Sequence, residues 1–269
     1  DWSPVGTYSI YYSTVEPRST PPGWQANNDL FSLIITPTGV VGKREEIITS
    51  NSGGFYGWWG TQYFWSSNGK QMAYAQSDSI GLVNFEKKSL TRLVTLLPYQ
   101  TRADWAWIPG VSWSPDGKFL YTVNHVFQNG LVSDEASPLF DLTAISVSSG
   151  LMTSLVPESG IFTYPVTSSS KSEKGYEVAF LKSIFPRQSD TSRYQLAIID
   201  RDGSNRHIVF PADGAAGMEP QRVVWSPQLT EGSKRIALIY QGNLWFINPT
   251  TAQSQQITGD GLISRIDWK

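Results

Sequence analysis

The chain has 269 residues, no cysteine and a formal net charge of −2. The absence of thiols excludes disulfides, cysteine-ligated zinc and thiol catalysis, and the scattered charges create no field that would attract nucleic acid. Eleven Trp, twelve Tyr and twelve Phe accompany 23 Gly and 16 Pro. Because aromatic residues favour strands while Gly and Pro favour turns, this composition predicts an all-β fold.

A Trp-Ser pair followed by a turn and a short apolar strand recurs along the chain. The intact copies begin at Trp2, Trp65, Trp113 and Trp225. Between the last two, the segment 165–170 occupies the place of a copy that has lost its Trp, and residues 175–180 supply the strand that follows. A large flat indole fills the space between stacked sheets, and Pro, Asp and Gly are turn residues. We therefore expect Trp65, Trp113 and Trp225 to be buried at equivalent places in successive sheets.

A second element is a strand that ends in a tight polar turn, with copies at 29–34, 80–85, 142–147, 194–199 and 243–248. The two elements alternate five times at spacings of roughly 43 to 63 residues, which matches a four-stranded propeller blade. The sequence therefore predicts a single β-propeller domain over 1–269, with five four-stranded blades at about 1–56, 57–104, 105–158, 159–215 and 216–261. Asp267-Trp268 repeats the opening Asp1-Trp2, so residues 262–269 form either a closing strand or the start of a further blade.

The third copy, Trp113-Ser114-Pro115-Asp116-Gly117-Lys118, resembles the repeat of TolB-like propellers, which also occurs in prolyl-oligopeptidase-type propellers. The resemblance covers nearly the whole chain, although only this copy has the full pattern. It implies a platform for protein contact or a gate over a neighbouring catalytic domain, in a periplasmic or secreted (extracytoplasmic) location. No apolar run reaches the roughly 18 residues of a membrane-spanning helix, so no membrane insertion is expected. The opening residues, without an initiator Met, indicate a removed targeting segment or a piece of a longer chain.

Residue types typical of catalysis are sparse. No Gly-x-Ser-x-Gly elbow is present, and His125 and His207 lack the spaced partners of a zinc site, so we expect neither a metal nor another cofactor. His207 is expected on an outer strand and His125 at the start of a loop. Four carboxylates near the first Trp of a blade are the candidates for glycosidase-type chemistry: Asp1, Asp104, Glu219 and Asp267.

Aromatic residues concentrate just ahead of the predicted innermost strands. They are Tyr56, Trp58, Trp59, Trp105, Trp107, Phe162 and Tyr164. Repeat geometry would place them around one mouth of the central channel, where flat aromatic side chains suit recognition of a sugar, a peptide or a protein. The alternative is that they fill the channel and close the core. Three insertions, at 16–25, 127–138 and 182–191, interrupt the hairpin between second and third strands and are expected on the same rim.

These features predict a non-catalytic propeller that binds a protein or glycan partner through the aromatic channel mouth and the insertions. Two alternatives stay open. One is a carbohydrate-active enzyme with carboxylates in the channel, which acids within about 5–10 Å of each other would favour. The other is the gating propeller of a peptidase whose catalytic domain lies outside this chain.

Overall fold

The computed structural model describes residues 3–4, 8–36, 38–39, 41–51, 57–99, 106–131, 133–169, 175–227 and 234–268. Strands dominate these residues, and the helical turns among them are short 3-10 helices at Gly57–Trp59, Asp134–Ala136 and Pro186–Gln188. The predicted all-β fold is confirmed. Within the described ranges, no helix has the length and apolar character needed to cross a membrane.

Antiparallel sheets follow one another along the chain. The first contains β1 (Ser9–Tyr12), β4 (Leu30–Ile35) and β5 (Val41–Ile48), and a hairpin of β2 (Val15–Pro17) and β3 (Trp24–Ala26) is inserted between β1 and β4. The second contains β6 (Gln62–Trp65), β7 (Met72–Gln76), β8 (Ser79–Asn84) and β9 (Ser89–Thr95). The third contains β10 (Val111–Trp113), β11 (Phe119–Val126), β12 (Leu139–Ser146) and β13 (Met152–Val156).

The fourth sheet contains β14 (Val166–Thr167), β15 (Glu177–Ser183), β16 (Tyr194–Asp200) and β17 (His207–Phe210). The fifth contains β18 (Val224–Trp225), β19 (Ile236–Tyr240), β20 (Asn243–Ile247) and β21 (Ser254–Gln256). In these two sheets, as in the second and third, the strand order in space is the order in sequence. The predicted four-stranded antiparallel sheets are therefore confirmed, and the first sheet shows three described strands.

The second strand of a sheet is buried on both faces. On β15, Val178, Ala179, Phe180 and Leu181 are all fully buried, so the strand is a continuous apolar run instead of an alternating one. A strand with this pattern must be covered on both sides by other elements. Sheets stacked face to face, as propeller blades are, provide that cover.

Apolar clusters fill each space between consecutive sheets. Leu30 and Ile48 of the first sheet meet Met72 of the second. The next three spaces are filled in the same way by residues of both flanking sheets: Ile80 with Trp113 and Leu120, Leu142 with Val178 and Phe180, and Leu196 with Trp225 and Leu238. The core is thus a series of layers between sheets, each of which needs both neighbours.

The serine of each Trp-Ser pair ties the innermost strand to the second strand. The N–H of Ser66 donates to the carbonyl oxygen of Gln71 at 2.9 Å, and the N–H of Gln71 donates back to Ser66 Oγ at 3.0 Å. The same two bonds join Ser114 to Phe119, Ser168 to Glu177, and Ser226 to Arg235. The copy without Trp therefore keeps its structural serine, Ser168, although its turn is longer.

The tryptophan of the pair joins neighbouring innermost strands. Trp113 Nε1 donates to the carbonyl oxygen of Phe64 on β6, and Trp225 Nε1 donates to that of Val166 on β14, both at 2.9 Å. Thr167, which stands in the place of Trp on β14, donates its hydroxyl to the Trp113 carbonyl oxygen at 2.7 Å. The strands β6, β10, β14 and β18 are therefore linked side by side in chain order.

Trp65 is less covered than predicted. Trp113 and Trp225 are buried, with 4% and 8% of their surface exposed, whereas Trp65 is only half-buried. Its ring stacks on Phe85 at 5.7 Å and meets Tyr11 edge-on at 5.1 Å.

Residues 262–268 run beside the fifth sheet without forming a described strand. The N–H of Ile263 donates to the carbonyl oxygen of Gly242 at 2.8 Å, and the Trp268 ring stacks on Phe246 with centroids 4.9 Å apart. These contacts attach the segment to the fifth sheet. Both predicted roles, a closing strand or the start of a further blade, stay predictions.

Replacing Trp113 tests whether this indole holds two sheets together. Trp113→Ala should lower the free energy of unfolding by about 3–5 kcal/mol, because it leaves a cavity between the second and third sheets. Trp113→Phe should give a smaller loss, since it keeps a ring but removes the donor to Phe64. Urea-induced unfolding measures both, with Leu151→Ala, at a side chain that is 67% exposed, as the control. A Trp113→Ala variant as stable as the control would contradict the role.

Candidate functional site

One end of the sheets collects the long loops and the segments that lead into the innermost strands. In an antiparallel sheet that follows chain order, the second-to-third loop and the segment before the first strand lie at the same end. We call this end the rim. It comprises the insertions 13–29, 127–138 and 184–193 and the lead-in segments 57–61, 106–110, 159–164 and 216–221. The insertions predicted at 127–138 and 182–191 lie between the second and third strands of their sheets, the latter at 184–193. The insertion predicted at 16–25 lies between β1 and β4, the first two described strands of its sheet.

The first insertion is attached to the lead-in segment of the second sheet. Asn28 Nδ2 donates to the carbonyl oxygen of Gly57 at 2.8 Å, and Thr61 Oγ1 donates to Asn28 Oδ1 at 2.9 Å. The Trp24 ring meets Trp59 edge-on, with centroids 6.0 Å apart. Asn28 is buried and has φ +53°, a left-handed conformation that Asn tolerates better than most residues. One side chain thus positions both the insertion and the aromatic segment beside it.

The second insertion is held by His125, which lies within β11 and not in a loop as predicted. Its Nδ1 is 3.1 Å from the Pro98 carbonyl oxygen, and its Nε2 is 2.7 Å from that of Ser137. The two ring nitrogens therefore face carbonyl oxygens of two different segments. The ring also stacks on Phe140 at 4.9 Å and is buried. Its contacts fit a residue that positions the loop. His207 lies exposed on the outer strand β17, as predicted.

The third insertion is bonded to the lead-in segment of its own sheet. The N–H of Ile161 donates to Ser189 Oγ at 3.1 Å, and the N–H of Phe162 donates to Tyr194 Oη at 3.2 Å. Tyr194 Oη in turn donates to the carbonyl oxygen of Ser189 at 2.7 Å. Burial raises the pKa of Tyr194 to about 12, so this phenol stays protonated and keeps its donor role at neutral pH.

The predicted aromatic residues divide into buried and half-buried groups. Trp107 is 6% exposed and packs edge-on against Phe140 at 5.5 Å, within a cluster that also contains Val123 and Ile161. It therefore fills the core at the third sheet, which was the alternative role considered for these aromatic side chains. Trp59 is half-buried, and its exposed part belongs to the rim.

Phe162 and Tyr164 form a half-buried stack with ring centroids 5.9 Å apart. Burial raises the pKa of Tyr164. Of the remaining predicted residues, Tyr56 and Trp105 lie outside the described residues. The backbone of Trp58 belongs to the 3-10 helix Gly57–Trp59, and its side chain also lies outside the description. The structure thus brings Trp59, Phe162 and Tyr164 to the predicted end of the sheets, and it leaves their binding role as a prediction.

Exposed apolar residues on the insertions were missed by the sequence analysis. Phe127 is 50% exposed and Phe185 is 64% exposed, on the insertions of the neighbouring third and fourth sheets. Leu131 and Ile184 accompany them. The available signal was a Phe within an otherwise polar insertion, since a loop gives an apolar side chain little core to enter.

A cavity of about 590 Å³ opens at the rim between the fourth and fifth sheets. Its wall includes Gln221, whose side-chain amide donates to the Ile239 carbonyl oxygen at 2.6 Å and accepts from the Ile239 N–H at 2.7 Å. Arg193 and Glu219 form an ion pair across the mouth. The cavity therefore offers a small polar ligand a positively charged donor, Arg193, and a negatively charged acceptor, Glu219.

The candidate carboxylates are not brought together within the described residues. Glu219 lines the rim cavity, while Asp267 lines a different cavity at the centre of the sheets. Asp1 and Asp104 lie outside the described residues. Among the residues that the structure describes, no group of three or more His, Asp or Glu side chains is placed to hold a metal ion.

Comparison with solved structures identifies the architecture. An oligogalacturonate lyase solved with manganese superposes with a TM-score of 0.52 at 12% identity, over 94% of this chain and 74% of the lyase. A prolyl endopeptidase gives a TM-score of 0.50 at 11% identity, over 93% of this chain and 36% of that chain. The fold is that of a β-propeller.

TolB from Acinetobacter baumannii is also similar to this chain, at 13% identity and a TM-score of 0.37, over 93% of this chain and 64% of TolB. The predicted resemblance to TolB-like and prolyl-oligopeptidase-type propellers is confirmed at the level of the fold, by the match to the prolyl endopeptidase. The chain spans little more than a third of the prolyl endopeptidase and less than two thirds of TolB. No protein-family model and no curated protein matches the sequence.

Removing the Asn28 side chain tests how the rim is positioned. Asn28→Ala should speed amide hydrogen exchange in segment 57–61. The buried carbonyl oxygen of Gly57 loses its donor, and the hydroxyl of Thr61 loses its acceptor. Exchange in 236–240 on β19, a distant strand, should stay unchanged. Peptide-resolved mass spectrometry measures both segments. Unchanged exchange in 57–61 would show that other contacts hold the lead-in segment.

Proposed function

We propose that this propeller is a non-catalytic binding module whose rim recognises a protein partner. The observation that carries the proposal is the exposure of Phe127 and Phe185 on two insertions that belong to neighbouring sheets. Exposed aromatic side chains on a polar background are typical of the centres of protein interfaces, where a few aromatic anchors supply most of the binding energy.

The anchoring of the insertions supports the proposal. His125 and Ser189 bond their loops to the sheets. The backbone that carries Phe127 and Phe185 is therefore already ordered before a partner binds. Ordering a loop on binding costs free energy, and a loop that is already ordered avoids part of this cost. Long insertions without a binding role would not require buried polar side chains to hold them in place.

The half-buried aromatic residues extend the proposed surface toward the centre of the ring. Trp59, Phe162 and Tyr164 lie in lead-in segments that share the rim with the insertions. A glycan would use the flat faces of such residues, whereas a protein would also use Phe127 and Phe185. The exposure of the two phenylalanines therefore favours a protein over a glycan as the partner.

The contacts of the described carboxylates support binding over catalysis. Glu219 is held in an ion pair with Arg193, and Asp267 lines another cavity. Glycoside hydrolysis needs two carboxyl groups that flank one bond, about 5–10 Å apart. Similarity to a lyase and to a prolyl endopeptidase at 11–12% identity concerns the fold alone.

We also infer that the domain is one propeller of five blades with the predicted bounds. The support is the recurrent serine bond: the N–H of Ser3 donates to the Ser9 carbonyl oxygen at 2.8 Å, as the four later serines do in their own units. A crystal structure in which these five units do not form successive blades of one ring would contradict the inference.

The rim proposal predicts a loss of binding that depends on which end of the propeller is changed. Peptides selected from a random phage library on the wild-type protein should bind Phe127→Ser/Phe185→Ser at least tenfold more weakly. Leu151→Ser, which removes an exposed apolar side chain at the opposite end, should bind them as the wild type does. Thermal melts establish that all variants fold. Equal binding by the double variant, or selection of ligands only on a parallel glycan array, would contradict a protein-binding rim.

An extracytoplasmic location is the second part of the proposal. The TolB-like repeat and the absence of cysteine support it, because a cysteine-free chain is compatible with an oxidising compartment. Cell fractionation of the native full-length protein should recover it outside the cytoplasm. Recovery in the cytoplasm alone would contradict this assignment.

A further inference from the structure

A second cavity, of about 780 Å³, lies at the centre of the sheets and opens at the end opposite the rim. Its lining comes from the ends of the innermost strands and the turns that follow them, in the second to fifth sheets, and from residues 266–267. The residues that matter here are Ser67, Pro115, Thr167, Ser169, Arg222 and Asp267. We call it the central cavity. Its volume is in the range of small-molecule sites, roughly 300–1,000 Å³.

Arg222 lies just ahead of β18 and lines the central cavity. Val223 and Trp225 point into the core between the fourth and fifth sheets, where they are buried. Val223, Val224 and Trp225 also border the cavity, and Arg222 is the exposed and charged residue of this stretch. Its guanidinium is therefore the charge that the fifth sheet presents to the cavity.

Among the described residues, the guanidinium of Arg222 has no ion-pair partner. Within the same residues it takes part in no hydrogen bond, although it carries five N–H donors. Asp267 lines the same cavity. The side chain reaches solvent at the cavity mouth, yet the surrounding walls displace enough water to lower the pKa of the guanidinium. An unpaired, partly desolvated cation gains more from a bound anion than an arginine in open water does.

Hydroxyl groups accompany the cation. Ser67 and Ser169 are exposed residues of the cavity wall. Thr167 Oγ1 donates to the Trp113 carbonyl oxygen and keeps its lone pairs as acceptors. A guanidinium fork with nearby hydroxyls matches the two oxygens of a carboxylate and the polar groups beside it.

We propose that the central cavity is a binding site for a small monocarboxylate, with Arg222 as the residue that receives the carboxylate. A singly charged group fits better than a phosphate dianion, because Arg222 is the one cation in the described wall. The proposal goes beyond rim recognition and is independent of it, since the two sites open at opposite ends of the sheets.

Ligand-observed NMR and calorimetry with lactate, glycerate and benzoate test the proposal, each acid beside its neutral amide. At least one acid should bind the wild-type protein, and its amide should bind at least tenfold more weakly. Arg222→Gln should weaken binding of that acid at least tenfold, while Arg222→Lys, which keeps the charge but loses the fork, should give a smaller loss. Arg206→Gln, which removes an exposed arginine beside the outer strand β17, is the charge-matched control and should bind as the wild type does.

Chemical labelling of the wild-type protein tests the proposal without relying on the folding of the Arg222 variants. Phenylglyoxal should label Arg222, and the bound acid should slow labelling of Arg222 but not of Arg206, as read by peptide mass spectrometry. The proposal is overturned if none of the three acids binds. It is equally overturned if Arg222→Gln binds the acid as tightly as Arg206→Gln, if the acid does not protect Arg222, or if inorganic phosphate binds more tightly than every acid.

Discussion

The hydrogen bond from an indole N–H to a carbonyl oxygen of the neighbouring innermost strand is the interaction on which the rest of this structure depends. The innermost strands are only two to four residues long, too short to define a sheet edge by their own pairing. Trp113 and Trp225 add a directional bond to the large area that each indole buries. Dispersion and burial would hold two sheets together at many angles, whereas this bond specifies which carbonyl faces which ring.

The substitution of Thr167 for Trp shows how much of this interaction can be replaced. Its hydroxyl reaches the Trp113 carbonyl oxygen, so the link between β10 and β14 is kept with a smaller side chain. The space between the third and fourth sheets is packed by other residues, among them Tyr121, Val178 and Phe180. A repeat can therefore lose its most visible residue and keep its geometry, provided that the serine bond to the second strand remains.

The fold was predictable because these bonds act within short sequence distances. Ser66 and Gln71, or Ser114 and Phe119, are five residues apart, and each turn between them carries its own Gly at positive φ, Gly69 and Gly117. Such local rules leave a pattern that recurs and can be counted. The decayed fourth unit keeps the same bonds, since Ser168 remains in place.

The candidate site was less predictable because its residues lie in irregular segments. A lead-in segment has no periodicity that separates inside from outside, so Trp107 could be placed at the rim but not assigned to the core. Its burial depends on Phe140 and Ile161, which come from other parts of the chain. Arg222 was missed because it lies just ahead of the two-residue strand β18, where a single arginine resembles any surface charge.

The two ends of the propeller differ in what they allow to vary. At the rim, the second-to-third connection ranges from a tight turn at Gln241-Gly242 to the insertion 13–29, because nothing beyond the anchoring side chains constrains its length. At the central cavity, the wall is made of the same strand ends that carry the indole and serine bonds, so a residue there can change its side chain but not its backbone position. A surface that must adapt to a large partner belongs at the first end. A cation such as Arg222, whose planar guanidinium must be held in a defined direction to bind a carboxylate, belongs at the central cavity.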